Sequence, residues 1–481
     1  MKLSLIFPSW HNEFGTFKHA AKKVSTFPPL NLCIIATMAE QLGWEVQVID
    51  AHIEQLGNDS MVRKVFEFKP DLIGMTATTP FFYNTTRLAR MLKSGLAVPI
   101  MVGGTHVSIL REKAFEDCYD YLFTGECETI FPAFLKAFAA GERNPPVSGV
   151  MMRRGGEIVY YGDAPLADDL DKVPLPARHL LPLDKYYMGT LKGRLNYTSL
   201  QMSRGCPFTC VFCACDLHGK RHRLRSVQSV IGEIEYIVNE LKIPHIFFID
   251  DTLTINRAFI LELCDEIERR KLKFSFEGST RANLWDEEMV KRLKECGLIR
   301  ISFGLESADP KVREIIKKHV PLESYAEANR VSNSLGIETI NSVIIGLPGD
   351  TRESIGRTVD YLCRARDLQH ITLNIAMPYP GTELLKMAEA GMHGLTLVEK
   401  DFSRYHRYES AVMEVNGISS GELISIQRKA LIKIYSCWWR FIPVLKRFGI
   451  STILFTGAHV VYSLVRDALP AGPRAPRTIE K

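Results

Sequence analysis

Three cysteines, Cys206, Cys210 and Cys213, lie within eight residues and have the spacing C-x3-C-x2-C. Three thiolates this close in sequence can converge on one soft metal centre. If that centre is a 4Fe–4S cube, three cysteines leave one iron free to bind another molecule. The spacing therefore predicts a metal centre with one open coordination position.

A zinc site is the main alternative, because C-x2-C pairs commonly hold zinc. Cys215, His218 or His222 would then supply the fourth ligand. Against zinc, no second C-x2-C pair occurs in the chain, and the sequence after Cys213 alternates strand-like and helix-like segments. We therefore favour the cube and keep zinc as the alternative.

The composition is that of an ordinary globular protein, and the length suggests about three domains. The 481 residues are 46% hydrophobic and 24% charged, with a net charge of +5. The other eight cysteines are scattered without a pairing rhythm, which argues against a disulfide scaffold and for a reducing cytoplasm. The N-terminal apolar run is too short for a signal peptide. The basic run at 220–225 lacks interleaved aromatic residues, so no nucleic-acid partner is expected.

Residues 1–143 are predicted to form a doubly wound parallel sheet. Strand-like runs at 3–7, 45–49, 72–76, 100–102 and 121–123 alternate with helical patterns at 32–42, 61–68, 85–93 and 129–139. Such sheets bind ligands at the carboxyl ends of their strands. The candidate binding residues there are Ser9, Thr78, Thr79, Gly103, Gly104, His106, Gly125 and Glu126. No G-x-G-x-x-G follows the first strand, so a dinucleotide is not expected.

Residues 144–195 form a proline-rich linker with a small hairpin at 150–153 and 158–161. Residues 196–385 then carry six strand–helix units, which predict a partial (β/α)6 barrel. The predicted strands are 198–202, 245–249, 273–277, 299–303, 339–345 and 371–377, and Ser226 and Asp286 are predicted helix N-caps. Barrel active sites gather at the carboxyl ends of the strands, and the cysteine loop follows the first strand. Other polar or glycine-rich strand ends contain Asp250, Asp251, Arg281, Glu306, Ser307, Gly346 and Pro348.

Residues 386–481 are predicted to be mostly helical. A basic amphipathic helix at 424–435 precedes Trp438 and Trp439, and residues 448–465 are free of charged side chains. This segment either caps the barrel mouth or lies at a membrane surface, and the first reading is favoured. The tail from Pro470 is expected to be disordered.

The cysteine loop and the strand-end segments together resemble the radical S-adenosylmethionine (SAM) superfamily. The resemblance implies that the open iron binds the amino and carboxylate groups of SAM and that electron transfer splits SAM into methionine and a 5′-deoxyadenosyl radical. Phe212 matches the aromatic residue near the adenine, Glu306-Ser307 matches the ribose-side motif, and residues 344–349, with Gly346 and Pro348, match the fifth-strand motif. Asp250-Asp251 departs from the Gly-Gly-Glu that many members have near the substrate amino group. Arg281 either neutralises a carboxylate or forms a structural ion pair.

The first domain resembles the cobalamin-binding domain of the cobalamin-dependent radical SAM enzymes. Gly103-Gly104-x-His106 and Gly125-Glu126-x-Glu128 carry this resemblance. Better-known cobalamin proteins place D-x-H-x-x-G after the first strand, whereas His11 here has no Asp two residues before it. We therefore predict that no histidine coordinates cobalt from below, and that His11 and His106 are pocket or packing residues.

The resemblance implies an enzyme that methylates an unactivated carbon, with a 4Fe–4S cluster, SAM and cobalamin as cofactors. A second SAM would remethylate the cobalt, and a flavodoxin- or ferredoxin-type protein would donate electrons. The expected substrate is a small molecule, hydrophobic in character, such as a lipid or a tetrapyrrole, and peripheral membrane contact through the C-terminal helices stays open. The alternatives are an oxidative cyclase of the anaerobic porphyrin type, radical methylthiolation of RNA, and a zinc-dependent nucleic-acid-binding module.

Overall fold

A computed structural model of the protein describes residues 1–9, 27–190, 193–405 and 410–441, without the side chains of residues 189, 190, 193, 215 and 216. His11, the uncharged segment 448–465 and the tail from Pro470 lie outside the described residues. The described chain forms two seven-stranded sheets with helices packed against them.

The first sheet has the strand order β2-β1-β3-β4-β5-β6-β7. Its strands are β1 (Lys2–Phe7), β2 (Glu45–Asp50), β3 (Leu72–Thr76), β4 (Ile100–Gly103), β5 (Tyr121–Phe123), β6 (Val150–Arg154) and β7 (Glu157–Tyr160). The first five pair in parallel, as predicted. The predicted hairpin is β6–β7, and it extends this sheet because β6 pairs antiparallel with β5.

Helices cover both faces of the first sheet. They are α1 (Leu30–Gln41), α2 (Asn58–Phe68), α3 (Phe82–Lys93), α4 (Thr105–Leu110) and α5 (Phe131–Ala139). Two separate apolar clusters contain side chains from the strands and these helices, and every residue of β3 is buried. A strand covered on both faces reads as a continuous apolar run, which is why the sequence identified these strands closely.

The second sheet is the predicted partial barrel, with the order β16-β15-β14-β13-β12-β9-β8. Its strands are β8 (Tyr187–Thr190), β9 (Gly193–Leu200), β12 (His245–Phe248), β13 (Ser275–Thr280), β14 (Leu298–Glu306), β15 (Glu338–Ile345) and β16 (His370–Ile375). Strands β9 and β12–β16 are parallel, and β8 adds to the edge as an antiparallel strand. Between β9 and β12, the short strands β10 (Ser203–Arg204) and β11 (Arg223–Leu224) form an antiparallel hairpin.

The helices of the barrel pack on its outer face. They are α6 (Val227–Glu235), α7 (Arg257–Arg269), α8 (Glu287–Glu295), α9 (Pro310–Ile315), α10 (Leu322–Ser334), α11 (Arg352–Arg364) and α12 (Glu383–Glu389). Ser226 and Asp286 cap α6 and α8, because their side chains accept hydrogen bonds from the amides of Ser229 and Met289. Both predicted N-caps are thus confirmed.

Alternation along the strands separates the helix-covered face of the barrel from its inner face. On β14, Ile301, Phe303 and Leu305 join the apolar core with the helices. Ser302 lies between them and therefore points inward, and its register partner on β13 is Ser279. The inner face thus carries polar side chains.

The C-terminal region contains β17 (Leu395–Leu397), β18 (Met413–Val415) and α13 (Ser420–Tyr435). Strands β17 and β18 pair antiparallel, which the sequence did not predict. Helix α13 covers the open edge of β16, where the Tyr435 hydroxyl bonds to the backbone of Ile371 and Gln427 donates to the Leu373 carbonyl at 2.7 Å. Such cover protects an unpaired strand edge. Among the described residues, we find no helix with the length and apolar character needed to cross a bilayer.

Candidate active site

The cysteine loop leaves the barrel between β10 and β11. Gly205 lies immediately before Cys206 at φ = 85°, in the left-handed region that favours glycine. A Cβ at this position would overlap the carbonyl oxygen of Arg221, on the return arm of the hairpin. Glycine therefore lets the chain turn tightly from β10 into the loop.

The three cysteines differ in exposure: Cys206 is buried, Cys210 is half-buried and Cys213 is exposed. The Cys213 amide donates to the Cys210 carbonyl at 3.1 Å, so these two residues share one turn. Between them, the Val211 amide bonds to Ile316 and the Val211 carbonyl accepts from Leu384. Two distant parts of the barrel therefore hold the loop.

Arg281 packs directly on the cysteine loop. Its Nη1 donates to the Cys210 Sγ at 3.6 Å, and its guanidinium lies 3.7 Å from the centre of the Phe208 ring. The side chain is buried, and its Nε has no hydrogen-bond partner. A buried cation on a thiolate compensates negative charge at that sulfur. Arg281 thus combines a structural contact with one unsatisfied donor.

Asp250 holds the end of the first barrel strand. Its carboxylate accepts from the Met202 amide at 3.2 Å and from the Ser203 hydroxyl, three residues before Cys206. Burial raises the pKa of Asp250 to about 6, against the opposing effect of the Ser203 hydrogen bond. Asp251 is exposed. Asp250 therefore positions the start of the cysteine loop, while Asp251 faces solvent.

Glu306 is the last residue of β14, at a β-bulge, and Ser307 follows it. Glu306 has φ = 66°, and its buried carboxylate lies 3.5 Å from the Lys318 Nζ. Burial raises the pKa of Glu306, although Lys318, Arg313 and Arg281 oppose the shift. A bulge re-aims a side chain, and strained backbone at a strand end is common in functional sites. The Ser307 hydroxyl bonds to Thr358 and the Asp309 amide, so Ser307 orders this loop.

The remaining residues predicted for SAM binding lie beside the apolar core of the barrel. Gly346 has φ = 77°, and Pro348 is buried. Phe212 is half-buried and packs against the apolar core of the barrel. Next to the Gly346 turn, Asp350 accepts from the Leu347 amide at 3.0 Å and from Ser354 at 2.6 Å.

The residues of the loop fit an iron–sulfur cube. Three thiols in eight residues supply soft donors, Arg281 supplies a compensating cation, and Asp250 and Gly205 fix the start of the loop. Each thiolate of a cube binds a different iron, whereas a single ion draws its ligands into one shell. Within the described residues, no three His, Cys, Asp or Glu side chains are grouped closely enough to hold a metal ion, and this includes the three loop cysteines.

The loops at the carboxyl end of the first sheet are closely packed. Gly104 has φ = 110°, and a Cβ there would lie 2.6 Å from the Ala77 carbonyl oxygen, so the β3 and β4 loops touch. His106 is buried, with its Nδ1 3.0 Å from the Thr79 hydroxyl and its ring 4.2 Å from that of Phe82. Burial lowers the pKa of His106 to about 4. His106 is thus a packed, neutral residue.

The other residues predicted for cobalamin binding border the same edge. The Asn84 side chain donates to the Ser9 carbonyl at 2.8 Å, which links the β1 and β3 loops. Thr78 and Gly103 are half-buried, and Gly125 is exposed at φ = 72°. The order 2-1-3-4-5 places the topological switch point between β1 and β3, where such sheets bind ligands.

Glu126 occupies a different environment, at the contact between the two sheets. Arg223 of β11 donates to both carboxylate oxygens, at 2.9 and 2.5 Å, and the Ala167 amide donates at 2.8 Å. His218 lies at 3.3 Å and Arg204 at 3.4 Å. Burial alone would raise the pKa of Glu126, but these donors outweigh burial and hold its pKa well below the usual range. We define Glu126, Glu128, Arg204, Arg223 and His218 as the hinge cluster.

Further contacts join the first domain to the barrel side. The His106 ring lies 5.3 Å from that of Phe402, and a Cβ at Gly381 would lie 3.1 Å from Ile109. His106, Ile109 and Glu126 all follow strands of the first sheet, while Gly381 follows β16 and Arg204 precedes Cys206. The carboxyl ends of a parallel sheet and of a partial barrel therefore face each other. This architecture defines a two-domain enzyme class in which each sheet binds its own ligand.

Comparisons with known proteins agree with this arrangement. Residues 200–362 match the radical SAM superfamily, and residues 20–135 match the B12 binding domain. An uncharacterized methyltransferase of Pyrococcus horikoshii is 32% identical over 441 residues, covering 90% of this chain and 92% of the relative. The anaerobic magnesium-protoporphyrin IX monomethyl ester cyclase of Cereibacter sphaeroides is 26% identical over 437 residues, covering 88% and 68%.

A solved structure of the radical SAM methyltransferase TsrM from Kitasatospora setae, with cobalamin and a [4Fe–4S] cluster bound, has the same fold. Its TM-score is 0.69 at 16% identity, covering 91% of this chain and 88% of TsrM. The chain therefore belongs to the cobalamin-dependent radical SAM methyltransferase family, and it is an enzyme whose cofactors are a 4Fe–4S cluster, SAM and cobalamin.

The sequence did not identify Arg204 and Arg223 as functional residues. Both are charged and buried, which is rare for arginine without a partner. The only sequence signal was the basic run at 220–225, which contains Arg223. Glu126, the partner of Arg223, is 97 residues away in the sequence. Local sequence patterns do not reveal contacts between residues so far apart.

Proposed function

We propose that this enzyme methylates an unactivated carbon of a small molecule at the junction between the two domains. The observation that carries the proposal is that the β4 and β5 loops of the B12-binding sheet contact Phe402, the turn at Gly381 after β16, and the hairpin that carries the cysteine loop. When bound, the cluster and SAM supply a 5′-deoxyadenosyl radical, and cobalamin supplies the methyl group. The protein holds both cofactors over one substrate.

The proposed reaction balances with two molecules of SAM and two electrons. One SAM and one electron give methionine and the radical, which takes a hydrogen atom from the substrate and becomes 5′-deoxyadenosine. The other SAM and electron supply the methyl group and leave S-adenosylhomocysteine. Methylated product, 5′-deoxyadenosine and S-adenosylhomocysteine should therefore form in equal amounts.

The test uses anaerobically reconstituted enzyme, a small-molecule extract and SAM with a deuterated methyl group. A product that carries three deuteriums is the expected result. Formation of 5′-deoxyadenosine together with a desaturated or cyclised product, and no deuterium in it, would instead favour the oxidative cyclase.

We infer that the electron donor is a small redox protein of the flavodoxin or ferredoxin type that approaches Cys213. This thiol is exposed, whereas Cys206 is buried. One corner of the loop is therefore open to a partner. Purified flavodoxin should support SAM cleavage by the enzyme, as should the chemical reductant dithionite. If dithionite supports cleavage and every protein donor fails, the inference is contradicted.

We propose a substrate with polar groups rather than the lipid or tetrapyrrole expected from the sequence. The inner face of the barrel carries Ser279, Ser302, Ser342, Thr372 and Asn374, with Ile340 and Ile344 beside Ser342 on β15. The Ser342 and Thr372 hydroxyls lie 2.9 Å apart. Hydroxyl-rich walls discriminate strongly in favour of ligands that can hydrogen-bond to them. Deuterium label should appear in the aqueous fraction of the extract, and label confined to the organic fraction would contradict this assignment.

We further propose that the end of the C-terminal region contacts a lipid surface peripherally. Trp438 is 64% exposed and Phe441 is 43% exposed, next to the uncharged residues 448–465. Aromatic residues beside basic ones suit a membrane interface. Flotation with anionic vesicles should be lost in Trp438→Ala with Phe441→Ala, and unchanged flotation would overturn the proposal.

A further inference from the structure

The hinge cluster lies between the β5 loop of the first sheet and the hairpin that carries the cysteine loop. Arg204 of β10 stands two residues before Cys206, and its register partner on β11 is Arg223. Both arginines bind Glu126, and Arg204 also pairs with Glu128. The two acids follow β5 of the cobalamin-binding domain. Strands β10 and β11, which flank the cysteine loop, are thus both bound to the loop after β5 of the other domain.

The contact between Arg223 and Glu126 is a buried ion pair with a fixed orientation, unlike an exposed ion pair at the surface. Arg223 contacts Glu126 through two nitrogens, and it also donates to the carbonyls of Ala167 and His218, at 2.6 and 2.9 Å. A bidentate pair fixes orientation as well as distance. Glu126 and Arg223 are 2% and 4% exposed, so water competes little for these bonds.

The charges within the hinge cluster compensate one another. Two arginines face two glutamates, with His218 at the margin, and the surrounding donors keep Glu126 ionised. Removal of one member of a buried pair leaves the other charge uncompensated. The cluster therefore has one well-defined arrangement, and loss of Glu126 would release the hairpin from the β5 loop.

We propose that Glu126 is a positioning residue that sets the spacing between the iron–sulfur cluster and cobalamin. This inference rests on the proposed function, because it matters only if both cofactors act on one substrate. A misplacement on the order of 1 Å can cost about 100-fold in rate. Weakening the contacts of Glu126 with the hinge-cluster arginines should therefore uncouple SAM cleavage from methyl transfer while each cofactor stays bound.

The test compares wild type, Glu126→Gln and the control Tyr186→Phe in the cofactor-loaded enzyme. Tyr186→Phe removes a buried hydrogen bond of 2.7 Å between the linker and Asp50, away from the hairpin. Pulsed electron paramagnetic resonance measures the distance between the reduced cluster and cob(II)alamin. We expect a broader distance distribution in Glu126→Gln and a fall of about tenfold in the ratio of methylated product to 5′-deoxyadenosine. The control should keep the wild-type distribution and ratio.

An unchanged distribution and ratio in Glu126→Gln, with iron and cobalamin both bound, would overturn the inference. If that variant does not fold or loses a cofactor, Arg223→Lys serves instead, because it keeps the charge and loses the bidentate contact. A wild-type distribution in Arg223→Lys would likewise overturn it. If wild-type enzyme holds both cofactors but transfers no methyl group, the proposed function fails, whereas the distance measurement still tests the role of Glu126 in setting the spacing.

Discussion

At the scale of single residues, the three loop cysteines are the side chains on which SAM cleavage depends most directly. We predict that Cys206→Ala, Cys210→Ala or Cys213→Ala abolishes SAM cleavage, because a cube with two protein ligands is not retained. Iron in the reconstituted protein should fall from about four atoms per chain to well below that value. Metal analysis and 5′-deoxyadenosine assays check the result.

Cys215→Ala is the matched control, since Cys215 lies two residues beyond the loop. It should keep full iron content and activity. Loss of iron in this variant would show that Cys215 is a ligand and that the assignment of the three cysteines is wrong.

Arg281 should influence the cluster electronically. Its Nη1 contacts the Cys210 Sγ, and a buried donor to a cluster sulfur favours the more negative, reduced state. We predict that Arg281→Met lowers the midpoint potential by roughly 50 mV, the size of about a tenfold change in a one-electron equilibrium. Arg281→Lys, which keeps the charge, should shift it less. Potentiometric titration followed by electron paramagnetic resonance measures both, and equal potentials in all three proteins would contradict the prediction.

At the scale of elements, the sequence predicted the two large sheets well and missed the small β17–β18 sheet. Strands such as β3 are buried on both faces, so their apolar runs are recognisable without any partner. Strands β17 and β18 have three residues each and form a separate two-stranded sheet, although a long loop divides them in the sequence. Such short strands depend on tertiary pairing that local patterns do not encode.

The candidate site shows the same division. The prediction of Cys206, Cys210 and Cys213 as cluster ligands was possible from the sequence alone because their spacing is local. The link of Glu126 to Arg223 was not predictable, since the two residues lie on different domains. Glu126 was predicted to bind cobalamin, and that prediction stays untested, although both of its carboxylate oxygens have protein partners.

The β10–β11 hairpin should depend on its glycine. Gly205→Ala places a Cβ against the Arg221 carbonyl at a positive φ, which costs more than about 1 kcal/mol. We predict a lower melting temperature and poor retention of iron. Gly232→Ala, within α6 and with no neighbour within 4 Å of the added Cβ, is the control and should stabilise the fold by about 0.5–1 kcal/mol. Equal iron retention in both variants would mean that the cysteine loop does not require glycine at position 205.

At the scale of the whole molecule, buried aspartates at strand ends tie stability to pH. Burial raises the pKa of Asp50, Asp250 and Asp350 to about 6 each, above the ordinary carboxyl value. Between about pH 4 and pH 6, the folded protein therefore binds more protons than the unfolded chain. Their contribution to the free energy of unfolding falls as pH rises through this window and is constant above it.

Asp350→Asn should remove one third of this effect without loss of hydrogen bonding. The asparagine oxygen can accept from the Leu347 amide, and its nitrogen can donate to the Ser354 hydroxyl. We predict that the decrease in unfolding free energy between pH 4 and pH 6 becomes smaller by up to ~3 kcal/mol, since each pKa unit corresponds to about 1.36 kcal/mol. Urea unfolding at a series of pH values measures it. Asp184→Asn changes an exposed carboxylate and should follow the wild-type curve; an Asp350→Asn curve parallel to wild type would mean that this carboxyl does not hold a proton in the folded state.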